Sequence, residues 1–161
     1  MFADECISGL VAAASSDFED STIESPILAP QQKGGDGQTR VLVLEDDVLH
    51  LELLLDHLQS VGLAAVGVKT VAEAREQLLN AKFHLAIFDV QLPDGCGLEL
   101  CNSIADDSRF CSIPTIVLSS MNEANMVRQT RAAGGAFFIG KPYDPNVLLT
   151  VIERALGIDL Q

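Results

Sequence analysis

Short, dominantly apolar runs, each closed by a polar or charged residue, constrain this chain more than any other feature. Val41–Leu44 runs into Glu45-Asp46-Asp47, Leu85–Phe88 into Asp89, Thr115–Leu118 into Ser119-Ser120, and Ala136–Ile139 into Gly140-Lys141-Pro142. A further run, Leu63–Val68, ends at Lys69-Thr70, to which no role is assigned. Runs without polar alternation belong to strands buried on both faces, and such strands form parallel sheets covered by helices on each side. The intervening segments carry helical spacing. Val48, Leu51, Leu55 and Leu58 share one helical face, with Gly62 as a stop. Val71–Leu79 and Leu98–Ile104 read as the next helices, and Asn122–Ala133 as a weaker one closed by Gly134-Gly135. Asp144-Pro145 is an N-cap and first-turn pair opening a last helix with Val147, Leu148, Val151, Ile152 and Ala155. Five β–α units with right-handed crossovers make an α/β doubly wound sandwich.

Composition divides the chain. Residues 1–39 hold seven acids and one base, with Pro26, Pro30, Gln31-Gln32 and Gly34-Gly35-Asp36-Gly37. This is the composition of a flexible acidic tail. Ile7, Leu10, Val11 and Ala14 have helical spacing within it, but so short a helix is marginal alone. Residues 40–157 form the domain, and 158–161 a short C-terminal tail. The chain's net charge is −13 with no basic stripe, which argues against direct nucleic-acid binding. The N-terminus is acidic where a signal peptide is basic, and no apolar run has membrane-spanning length. A cytoplasmic protein is expected. Cys6, Cys96, Cys101 and Cys111 form no CxxC pair and read as reduced thiols.

Ligands of open parallel sheets bind beyond the carboxyl ends of the strands. The residues delivered there are Glu45 and Asp46, Asp89, Ser119 and Lys141. Converging carboxylates repel, so at least one has a raised pKa unless a cation neutralises them. Hard oxygen ligands suit Mg²⁺. A carboxylate nucleophile, a divalent metal, a lysine and a hydroxyl are the parts needed for phosphoryl transfer to an aspartate. Gly95 and Gly97 read as turn residues in a permissive loop. His50, His57 and His84 read as structural.

Residues 40–157 resemble the receiver domain of two-component response regulators. The resemblance is carried by Glu45-Asp46, by Asp89-Val90-Gln91-Leu92-Pro93-Asp94-Gly95-Cys96-Gly97, by Ser119-Ser120 and by Lys141-Pro142, with matching spacing. It implies a flavodoxin-like five-stranded sheet of order 2-1-3-4-5. It implies that Asp89 is the phospho-acceptor and that Asp46 and Asp89 ligate Mg²⁺ directly. Glu45 would act through a metal-bound water, and the Gln91 backbone carbonyl would complete the protein ligands. Lys141 would pair with a phosphoryl oxygen, Ser119 would move to hydrogen-bond it, and the Phe138 rotamer would follow Ser119. Lys141-Pro142 matches the family's cis peptide.

The partner implied is a histidine kinase or histidine phosphotransfer protein. The signal would pass through the fourth helix, fifth strand and fifth helix to a separate protein or a second copy of the chain, or the chain would relay the phosphate onward. Little sequence follows Leu156-Gly157, so a single-domain receiver with no output domain is expected. One rival is a haloacid-dehalogenase-like phosphatase, which carries a second Asp two residues after its nucleophile. Gln91 stands there and cannot exchange a proton at neutral pH. The other rivals are a nucleotide-binding module, for which the P-loop residues are absent, and a phosphorylation-independent adaptor.

Overall fold

The computed structural model describes residues 37–120 and 123–160. The tail and the Ile7–Ala14 stripe lie outside these residues, as do Met121 and Asn122. Five parallel strands form one sheet: β1 (Arg40–Leu44), β2 (Ala64–Val68), β3 (Leu85–Asp89), β4 (Thr115–Ser119) and β5 (Phe137–Gly140). Their spatial order is β2-β1-β3-β4-β5, as the family resemblance implies. A two-residue ladder, Gln91–Leu92 against Gly95–Cys96, follows β3. The helices are α1 (Val48–Ser60), α2 (Val71–Asn80), α3 (Gly97–Asp106), α4 (Glu123–Ala132) and α5 (Pro145–Leu156).

The three central strands explain their own sequences. Every residue of β3 and β4 is buried, as is all of β1 after Arg40, because helices cover both faces. Alternate side chains divide into two cores. Val41, Val43, Leu85, Ile87, Ile116 and Leu118 pack with α1 and α5. Leu42, Leu44, Ala86, Phe88 and Val117 pack with α2, α3 and α4. Phe137 and Phe138 divide the same way, Phe138 joining the core under α4.

Two helical faces differ from the sequence reading. In α1 the buried residues are Leu51, Leu54 and Leu58, while Val48 is 48% exposed. Val48 sits in the first turn, beyond the sheet's edge, and the stripe rotates onto Leu54. In α5, Leu148, Ile152, Ala155 and Leu156 are buried and Val147 is 51% exposed, for the same first-turn reason. Asp144 does cap α5, accepting a hydrogen bond from the Asn146 N–H at 2.8 Å, and Pro145 opens it. Cys101 and Cys111 are free, as expected, and Cys6 lies outside the described residues. No described helix is long and apolar enough to cross a membrane.

Gly97 is required by close approach rather than by loop freedom. Its φ is not positive, but a Cβ there would overlap the backbone carbonyl oxygen of Asp89. The Gly97 N–H also donates to the Val90 carbonyl at 3.0 Å, folding the loop back onto the end of β3. Gly62 is the contrasting case, with φ of +88° and open space around it. Gly97→Ala should therefore cost about 3 kcal/mol or more, as overpacking against backbone does. Gly62→Ala should cost only about 1 kcal/mol of left-handed strain. Urea midpoints of the two variants check the difference, and equal losses would contradict the close approach.

Candidate functional site

The carboxyl ends of β1, β3, β4 and β5 bring the predicted residues together. Glu45 follows β1 directly and is buried, its N–H donating to the Val68 carbonyl at 3.0 Å. Asp46 comes next and is exposed. Asp47 then caps α1, its side chain accepting the His50 N–H at 3.1 Å. Asp89 is the last residue of β3 and only 8% exposed. Ser119 ends β4, buried, and its carbonyl accepts the Lys141 N–H at 2.8 Å, which ties the two strand ends together. The Lys141–Pro142 peptide is cis. Gln91 lies two residues past Asp89 in the short ladder, with its side chain exposed.

One ammonium organises these groups. Lys141 Nζ is 2.6 Å from Glu45 Oε2 and 3.3 Å from Asp89 Oδ2. Glu45 is engaged at both oxygens: Oε2 also meets His50 Nδ1 at 2.6 Å, and Oε1 accepts the Asp47 N–H at 3.2 Å. Glu45, Asp46 and Asp89 each offer a carboxylate oxygen within 4.8 Å of the others.

The electrostatics follow from this sharing. Burial pushes the Asp89 carboxyl up to about 6, with the neighbouring Glu45 charge adding and Lys141 subtracting. Asp46 is also raised, first by burial and then by Glu45. Burial alone would raise Glu45 too, but the hydrogen bonds from Lys141 and His50 outweigh it and hold it at about 2. The expected shift is thus present in Asp89 and Asp46, with burial ahead of repulsion as its cause. Glu45 moves the opposite way because it takes most of the available positive charge.

With this geometry established, similarity to known proteins is specific. A family model for the response regulator receiver domain matches residues 41–153. The chain belongs to that family. It is 35% identical over 117 residues to the transcriptional regulatory protein GltR of Pseudomonas aeruginosa, covering 72% of this chain but 48% of GltR. The chain thus spans about half of that relative. It is 26% identical to the polar-differentiation response regulator DivK of Brucella anthropi, over 73% of this chain and 95% of DivK. Among solved structures, a CheY-like receiver domain protein from Methanospirillum hungatei superimposes with a TM-score of 0.69 at 28% identity. That match covers 74% of this chain and 94% of the other.

Receiver domains bind Mg²⁺ through acidic residues, and Glu45, Asp46 and Asp89 make such a cluster. The donors fit: they are hard oxygens, and among the described residues Lys141 is the ammonium close to them.

His50 contacts Glu45 and Tyr143 contacts His50, although sequence reading took His50 as structural and passed over Tyr143. His50 Nε2 lies 2.9 Å from the Tyr143 hydroxyl, and the rings are 5.7 Å apart, centroid to centroid. The signal for His50 was its place three residues after the α1 cap, where a side chain reaches back to the strand end. His57 shares with His50 and Tyr143 the lining of an open cleft of about 680 Å³ between α1 and the start of α5, with Leu53, Leu54 and Leu148. His84 accepts the Arg40 N–H at 2.9 Å at the far end of the sheet.

Two outcomes follow for metal-free protein. A buried acid with a raised pKa binds its proton more tightly folded than unfolded. Asp89 therefore lowers stability progressively as pH climbs from its ordinary 3.8 through about 6. Asp89→Asn should stabilise the metal-free fold by roughly 1–3 kcal/mol at pH 7, a gain that fades toward pH 4. Thermal melts across that range check it, and a constant difference would refute the pKa assignment. Mg²⁺ should raise the wild-type melting temperature by linkage, and less so in Asp46→Asn. Unchanged Mg²⁺ affinity in Asp46→Asn, by calorimetry, would count against Asp46 as a ligand.

Proposed function

We propose that this receiver accepts a phosphoryl group on Asp89 from a histidine kinase or histidine phosphotransfer protein and passes the signal by a conformational switch. The observation that carries the reading is the convergence of a buried Asp89 with Glu45, Asp46 and Lys141 at one end of the sheet. An Asp89 oxygen attacks the phosphorus of a phosphohistidine donor. The P–N bond breaks, its electron pair returns to the imidazole, and an acyl phosphate remains on Asp89. With its pKa near 6, Asp89 is mostly ionised at neutral pH and keeps an electron pair for attack. Asp46, Asp89 and the Gln91 carbonyl would hold Mg²⁺, with Glu45 through a water. Bound there, Mg²⁺ neutralises charge on the carboxylates and on the transferring phosphoryl oxygens. Lys141, already 3.3 Å from Asp89, is placed to pair with the new phosphoryl group.

A phosphoryl group is too small to reach a partner, so it must bias an element with two arrangements. Ser119 is buried and follows Leu118, the register partner of Asp89, and its hydroxyl would move toward a phosphoryl oxygen. Phe138 packs in the core under α4, where space vacated by that movement would admit it. The readout surface is then α4, β5 and α5. Exposed Val127 on α4 and Val147 on α5 support a protein partner or a second copy there. DivK, a response regulator that this chain matches over 95% of its length, supports a signalling role for a unit of receiver size. The phosphatase reading lacks its general acid, because Gln91 occupies that position.

Acetyl phosphate with Mg²⁺ should add one phosphoryl group to the wild type and none to Asp89→Asn, by intact mass. Labelling that survives in Asp89→Asn refutes the acceptor. Beryllofluoride should shift amide signals from Ser119 through Gly135 and at Phe138. Ser119→Ala should remain phosphorylatable yet lose most of that distal response. A full response in Ser119→Ala would sink the hydroxyl–aromatic coupling while leaving the acceptor intact.

A further inference from the structure

Lys141 faces a conflict that the acceptor reading does not resolve. Its ammonium sits 2.6 Å from Glu45 Oε2, closer than to Asp89. To serve a phosphoryl group on Asp89 it must loosen its hold on Glu45, whose side chain is only 2% exposed. A buried carboxylate that loses its charged partner is strongly destabilised unless another donor remains. That donor is present. His50 Nδ1 lies 2.6 Å from the same Oε2, on the first turn of α1.

We propose that His50 is a positioning residue for aspartyl phosphorylation. It keeps Glu45 satisfied at Oε2 so that Lys141 can turn to the incoming phosphoryl group, and Tyr143 fixes the ring that does so. The inference rests on the phospho-acceptor reading of Asp89. In the neutral ring, Nδ1–H donates to Glu45 only if the other nitrogen accepts. The Tyr143 hydroxyl, 2.9 Å from Nε2, supplies that proton. Burial, aided by the Glu45 charge, pushes the phenol up to about 12, so it remains a donor. Tyr143 follows the Lys141–Pro142 peptide by one residue, so the segment that positions the lysine also positions the histidine. Without His50, Lys141 becomes the only side chain left on Glu45 Oε2 among these contacts and stays pinned there.

The test separates positioning from packing. The maximal rate of Asp89 labelling by acetyl phosphate, at saturating Mg²⁺, should fall roughly tenfold in His50→Ala, the loss expected for one charge-assisted hydrogen bond. Mg²⁺ affinity by calorimetry should stay within about twofold, since His50 touches Glu45 and not the direct ligands. His50→Asn places an amide N–H near the position of Nδ1–H and should recover the rate to within about threefold. Tyr143→Phe should fall between the wild type and His50→Ala. Beryllofluoride affinity, which also needs a free Lys141, should weaken in parallel in His50→Ala. The chain has one tyrosine and no tryptophan, so Tyr143 emission reads that binding without background. A wild-type rate and beryllofluoride affinity in His50→Ala overturn the proposal. So do equal losses in His50→Ala and His50→Asn, or a rate loss that merely tracks the melting temperature. A wild type that takes no label sinks the acceptor reading itself, which is a different result from a labelled wild type with an indifferent His50.

Discussion

The sharing of one ammonium between two buried carboxylates sets the character of the whole carboxyl end of the sheet. Lys141 reaches Glu45 and Asp89 at once, and it favours Glu45 by distance. The consequence is asymmetry between chemically similar acids. Glu45 is held ionised far below its ordinary range, while Asp89 is pushed up toward neutrality. A buried ion pair of this kind adds little net stability, because desolvation cancels much of the attraction. Its use is to fix which carboxylate is committed and which remains available. Asp89, the less satisfied partner, gains most from any further positive charge brought to the site.

The parallel sheet makes that sharing possible. Side chains from three separate strand ends meet only because all five strands run the same way. Local devices then hold the meeting point. Gly97 lets the loop after β3 return against the Asp89 carbonyl, and Asp94 accepts N–H groups of Val71 and Ala72 at 2.8 and 3.1 Å. Asp94 thereby ties the loop after Asp89 to the first turn of α2, and those two hydrogen bonds lower its pKa against a larger but outweighed effect of burial. The surroundings of Asp89 are anchored on two sides by backbone contacts that do not depend on its carboxylate.

Strand ends were legible in the sequence because a doubly buried strand must be apolar throughout, so each terminal Asp, Ser or Lys stood out. Asp89, Lys141, Ser119 and Glu45-Asp46 were found that way, and the sheet order came with the family resemblance. His50 and Tyr143 were not found, for a physical reason. Their roles come from orientation across an interface of 93 residues in sequence, which no local period records. The face of α1 was misjudged at Val48 because periodicity fixes which residues share a stripe, not where the stripe leaves the sheet.

α4 has a poorer footing than α3. α3 buries Leu98, Leu100, Cys101 and Ile104. The described buried side chains of α4 are Met126, Gln129 and Thr130, with Ala133 just past its end. Gln129 Oε1 and Thr130 Oγ1 have no hydrogen-bond partner, and buried orphans of this sort cost about 1–3 kcal/mol each. Gly135 leaves no space for a Cβ beneath Thr130, so the helix end is closely seated against its own turn while its polar underside is unpaid. Among the described residues, α4 rests on one large apolar side chain and carries two unsatisfied oxygens, which makes it the less firmly held of the two helices. On the proposed reading, a shift of Ser119 by a single charge-assisted hydrogen bond would be comparable in size to the cost of those two orphaned oxygens, so one phosphoryl group would suffice to bias α4.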